Sequence, residues 1–132
     1  MQSIIDFMGE EDVWTALVPG VKVCWGEPVE SDGPIGLFTG DHWLARRAGH
    51  TEFFDPYDRY QKPGTHQFCQ TYCIMYLLDI LPEPGDYRKS TLAALEFITS
   101  ILRPGKLRRT AIAMARRARS QGPPGTAGRT PL

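Results

Sequence analysis

The stretch FCQTYCIMYLLDIL, residues 68–81, decides the fold. Its fourteen residues are apolar nearly all the way round and are closed by Pro82. That length and that lack of a polar face read as a buried central helix rather than a strand. Cys69 stands at its beginning. A thiol at a helix N-terminus faces unpaired backbone donors and the positive end of the helix dipole, which favour the nucleophilic thiolate.

Moving toward the N-terminus, residues 56–66 form a loop, and the segments before it read as strands. Thr51–Asp55 and His42–Arg46 are two strand candidates, and Arg47–His50 between them has the length of a hairpin connection. Pro56 ends the second strand because it has no ladder donor. Ile35–Phe38 is a short extended piece followed by the turn Thr39-Gly40-Asp41, and Glu27–Gly33 is a polar loop. Val21–Trp25 alternates with a period of two, as a strand does. Residues 2–18 carry a weak helical pattern punctuated by Gly9 and Pro19-Gly20, which predicts one or two short helices.

Toward the C-terminus, Pro82–Asp86 is a linker and Arg88–Leu102 is an amphipathic helix stopped by Pro104-Gly105. Lys106–Arg119 continues as a basic helix. From Gln121 onward the composition is too poor in apolar side chains to fold. The expected organisation is a folded domain over 1–102 and a basic, largely disordered tail over 103–132.

The charge balance supports that division. The chain has fifteen basic and fifteen acidic residues, but 103–132 holds eight basic residues and no Asp or Glu. Residues 1–102 keep seven basic residues against all fifteen acidic ones, a formal net of −8. Such asymmetry points the tail toward an anionic partner, or toward its own acidic body. Lys106, Arg108, Arg109, Arg116, Arg117 and Arg119 are the candidate phosphate contacts, with DNA as the first partner. A membrane-surface role fits less well, because the apolar side of this helix is mostly Ala.

Three cysteines, Cys24, Cys69 and Cys73, are too few and too odd in number for a disulfide scaffold, and they point to a reducing compartment. Cys69-x-x-x-Cys73 with His66 nearby lacks the ligand number and spacing of a structural zinc site, so no metal or cofactor is expected. No apolar run reaches the ~18 residues of a membrane span. The first residues lack the basic start and apolar block of a signal peptide. The expectation is a soluble, intracellular protein that is not secreted.

Three pieces then combine into a chemical constellation: His42-Trp43 opening a strand, Phe53-Phe54-Asp55-Pro56 ending the next, and Cys69 opening the helix. A His facing the thiol takes its proton and later protonates the leaving amine. An Asp on the far ring nitrogen fixes the tautomer and supports the imidazolium. Asp55 is the first candidate for that acid and Asp41 the second. His66 is a rival base, three residues before Cys69. Cys24 and Cys73 read as buried and inert.

That order, His-Trp, then aromatic-aromatic-Asp-Pro, then Cys-x-x-x-Cys running into apolar residues, resembles the adenovirus-type (adenain-like) maturation proteases and the related SUMO-deconjugating proteases. The resemblance covers roughly residues 37–78. It implies an α+β, papain-like fold in compact form, with the nucleophile helix packed on a small antiparallel sheet. It implies a cysteine endopeptidase that processes viral precursor proteins, found in the host cytoplasm or nucleus and in the virion. Cys69, His42 and Asp55 would form the triad. Gln61, or alternatively Gln67, would join the Cys69 backbone N–H in holding the oxyanion. Trp43 and Tyr57 would line the substrate groove.

The chain departs from the family in two places. Gln70 follows the nucleophile where the family has Gly, and only thirteen residues separate Asp55 from Cys69. Those departures support an alternative, a catalytically inactive papain-like module with a nucleic-acid-binding tail. A third reading is a nucleic-acid-associated protein in which the order of the three pieces is accidental.

Overall fold

The computed structural model describes residues 11–58, 60, 68–102 and 104–120. It is an α+β protein with a small three-stranded mixed sheet and, among the described residues, four α-helices. The chain divides into two compact units, Met1–Leu81 and Pro82–Leu132. No helix among the described residues is long and apolar enough to cross a membrane.

In the first unit, helix α1 (Glu11–Leu17) precedes strands β1 (Lys22–Trp25), β2 (Ile35–Phe38) and β3 (Trp43–Arg46). The strands lie in the order β1-β2-β3. β2 and β3 are antiparallel, but β1 and β2 run parallel, from Lys22 opposite Ile35 to Trp25 opposite Phe38. The expected antiparallel sheet is therefore corrected to a mixed one. The cause is the loop over 26–34, which returns the chain to the start of β1 before β2 begins. Lys22 N–H donates to Pro34 O at 2.9 Å and Gly26 N–H to Phe38 O at 2.8 Å, closing both ends of the parallel pair.

The pleat puts alternate residues on opposite faces. Trp25, Phe38 and Trp43 stand in register on one face, with Gly36 and Ala45 beside them. Trp14 of α1 packs against Trp43 with ring centroids 5.1 Å apart and lies over Gly36, where an added Cβ would fall 2.5 Å from its ring. Glycine at that position is what lets α1 approach the sheet. Cys24, Ile35 and Leu37 form a buried cluster on the other face, with Leu44 and Phe53 packed against it.

The second hairpin strand expected over 51–55 shrinks to one bridge, Ala45 with Phe54. Two forces end the pairing. On one side Gly49 N–H donates to Asp32 O at 2.9 Å, drawing the turn toward the β1–β2 loop. On the other, Pro56 opens a 3-10 turn, Pro56–Asp58, in which Tyr57 N–H donates to Asp55 Oδ1 at 3.0 Å.

Helix α2 (Cys69–Leu77) packs on β3 and ends sooner than the expected residue 81. Asp79 takes a left-handed conformation at φ 61°, and Ile80 N–H reaches back to Met75 O at 2.9 Å. Such a reverse bond after a left-handed residue is a helix stop. Arg47, just beyond β3, clamps this end. Its guanidinium donates to Tyr76 O at 3.0 Å and Asp79 Oδ1 at 3.1 Å, and it lies 4.2 Å over the Tyr76 ring. A cation there also complements the helix dipole.

In the second unit, α3 (Tyr87–Ile101) and α4 (Lys106–Ser120) pack on one another. Asp86 caps α3 by accepting from Arg88 N–H at 3.0 Å and Lys89 N–H at 3.1 Å. The division into compact units falls after residue 81, inside the span expected as one folded domain over 1–102. α3 buries Ala94, Leu95 and Ile98, and α4 buries Ala111 and Ala115. Lys106–Ser120 is an ordered part of that pair, and residues 121–132 lie outside the described residues.

Candidate active site

His42 leaves the turn before β3, and Thr39 fixes that turn. Thr39 Oγ1 accepts from Asp41 N–H at 3.2 Å and His42 N–H at 3.3 Å, while Thr39 N–H donates to His42 O at 3.0 Å. Gly40 takes φ +103°, a conformation other residues adopt only under strain. The imidazole is therefore delivered to one place, with its side chain only 15% exposed.

Asp55 meets it there. Nε2 of His42 lies 3.1 Å from both Asp55 carboxylate oxygens. Asp55 is itself oriented by the Tyr57 amide, and the Tyr57 ring stacks on the imidazole at 4.5 Å with planes 16° apart. The truncated hairpin explains this approach: the bridge at Phe54 brings the next residue alongside the start of β3.

The other ring nitrogen is also engaged. Nδ1 of His42 lies 3.0 Å from Asp41 Oδ2. Both candidate acids thus reach the same ring, one on each nitrogen. A neutral imidazole has one N–H and satisfies one carboxylate, whereas the imidazolium satisfies both. The two acids differ in setting: the Asp41 side chain is 72% exposed and that of Asp55 is 31% exposed.

Cys69 is the first residue of α2, and its Sγ accepts from the Trp43 amide at 3.5 Å. Phe68 makes no side-chain cap bond, and no acid stands in the first turn of α2, whose N-terminal end carries the positive end of the helix dipole. The thiol is buried, at 1% exposure. Cys24 and Cys73 are buried too, and none of the three forms a disulfide.

The remaining expected residues separate. Trp43 is fully buried against Trp14, Phe38 and Trp25, so its ring is core and not a groove wall; its contribution to the site is its backbone amide. Tyr57 is half-buried and acts on His42 by stacking. Gln61, Gln67 and His66 lie outside the described residues. Among the described residues no group of three or more His, Cys, Asp or Glu is arranged to hold a metal ion.

Two features were not anticipated. Gln70 and Thr71 are fully buried, and among the described residues neither the Gln70 amide atoms nor Thr71 Oγ1 has a hydrogen-bond partner. The signal was a polar pair inside an otherwise apolar helix. The role of Thr39 was legible only as a turn. A cavity of about 610 Å³ opens between residues 28–32 and 49–51, with Arg46 on its wall, and none of the candidate catalytic residues lines it.

No protein-family model, curated protein or solved structure matches the chain.

Proposed function

We propose that the chain is a cysteine endopeptidase on a compact papain-like core, with Cys69 as nucleophile, His42 as base and acid, and Asp55 as the group that orients His42. The observation that carries this reading is the joining of the His42–Asp55 pair to the start of α2 through the Trp43 amide and Cys69 Sγ.

In the reaction, His42 takes the Cys69 proton and Sγ attacks the scissile carbonyl carbon. The carbonyl π pair moves onto oxygen, which the Cys69 backbone N–H and the Gln61 amide would hold. Collapse expels the amine, protonated by His42, and leaves a thioester. Water, deprotonated by His42, then releases the acid and restores the thiol. Asp55 on Nε2 presents Nδ1 to the thiol and supports the cation formed there. Asp41 holds that same Nδ1 in the structure, at 3.0 Å. Its carboxylate is 72% exposed, so water replaces it at small cost. The substrate class that the resemblance implies is a viral precursor polypeptide.

A second reading, an inactive papain-like module, is favoured by the burial of Cys69 and by Gln70 in place of the family's Gly. The test between them is cleavage of a mixed-sequence peptide library, with products read by mass spectrometry. Endopeptidase activity predicts cleavage by the wild type and none by Cys69→Ser. Identical profiles for the two proteins would reject the protease reading.

A further inference from the structure

The second unit carries ten basic and three acidic residues, a net of +7, against −7 for the first. On α4 the structure sorts these cations into two jobs. Arg108 Nε donates to Thr99 O at 3.1 Å, and Arg119 pairs with Glu96 at 3.2 Å, so both are turned back onto α3. Lys106, Arg109, Arg116 and Arg117 are exposed and make no ion pair among the described residues.

At 100° per residue, those four and the exposed Ala113 and Ser120 fall within one arc of about 100°. The buried Ala111 and Ala115 lie on the opposite side of the helix, where Arg108 and Arg119 flank them. From Lys106 to Arg117 the stripe is about 16 Å long. It is a row of cations that make no ion pair among the described residues, set on a helix that packs against α3.

We infer that this outer stripe of α4 docks on the phosphate backbone of a nucleic acid. The inference is independent of the protease reading. Regularly spaced phosphates complement a straight row of unpaired cations, and Arg binds them through two parallel N–H groups. A lipid surface is the lesser match. A helix that lies in a bilayer interface inserts its apolar side, and the apolar side of α4 is already used against α3. The contacts inferred are to phosphates, which carry no sequence information, so this binding is sequence-blind.

The test is fluorescence anisotropy of the full chain with a labelled duplex of arbitrary sequence, titrated in salt. Four neutralised phosphates give a log–log slope of about −3.6, an affinity loss of about 150-fold between 50 and 200 mM salt. The double variant Arg116→Gln with Arg117→Gln should reduce the slope by about 1.8, while Arg119→Gln should leave it nearly unchanged. Far-UV circular dichroism checks that each variant keeps its helices. Absence of salt-dependent binding to duplex and single strand alike would overturn the inference. An equal loss of slope in Arg119→Gln would overturn it too, as would binding to phosphatidylserine vesicles with indifference to nucleic acid.

Discussion

The Trp43 amide lies 3.5 Å from the Cys69 sulfur, and this contact joins the turn that carries His42 to the first residue of α2. At the other end of the same two elements, Arg47 grips Tyr76 O. The four steps from Trp43 to Arg47 rise about 13 Å in a strand, and the seven from Cys69 to Tyr76 rise about 10 Å in a helix. Helix and strand therefore run the same way, side by side, pinned at both ends. That alignment sets the turn carrying His42 at the same end of the pair as Cys69.

Asp55 should act through His42. Asp55→Asn keeps the shape but removes the charge that supports the imidazolium, and turnover on any cleaved peptide should fall about 10²–10⁴-fold. Steady-state kinetics check this, with most of the loss expected in kcat.

Asp41 should act in the opposite sense. It lies 3.0 Å from Nδ1 of His42, the nitrogen that the proposed mechanism directs at the thiol. Asp41→Ala frees that nitrogen, so the alkylation rate of Cys69 by iodoacetamide should rise about threefold, a change of about 0.65 kcal/mol. A mass-spectrometric time course reads it, and a fall in rate would make Asp41 a supporting acid instead.

Gly36→Ala should destabilise the first unit. The new methyl would fall 2.5 Å from the buried Trp14 ring, and forced repacking of this kind costs about 1–3 kcal/mol. Urea unfolding should show a lower midpoint with an unchanged slope.

Arg47→Ala should loosen the far end of α2. It removes bonds to Tyr76 O and Asp79 and the contact over the Tyr76 ring, a loss of about 1–2 kcal/mol. Arg47→Lys should restore only part of it in the same unfolding assay, because a single ammonium cannot reproduce the two-pronged grip.

Much of this was readable in the sequence, for specific physical reasons. Period-two alternation marks β1, and an uninterrupted apolar run between a loop and Pro82 marks α2. Chain order and chemistry named His42, Asp55 and Cys69, and both acids that reach the imidazole were foreseen as candidates. Strand direction was not readable, because alternation specifies faces and says nothing of whether β1 and β2 run parallel. The shortened strand at 51–55 depended on backbone bonds from Gly49 and Tyr57, which propensity does not encode. The division into compact units after residue 81 was not readable, because an apolar helix face looks alike whatever packs against it. Arg47 gave no signal at all, since a helix clamp is a tertiary contact.

The measurement that tests the central claim most directly is the rate of Cys69 alkylation against pH, in the wild type and in His42→Ala. The account predicts a thiol that reacts at full rate well below the ~8.5 at which an ordinary cysteine ionises, and that loses this advantage when His42 is removed. A thiol that reacts only as an ordinary cysteine does, or one indifferent to His42→Ala, would contradict the pairing of Cys69 with His42 and with it the proposed chemistry.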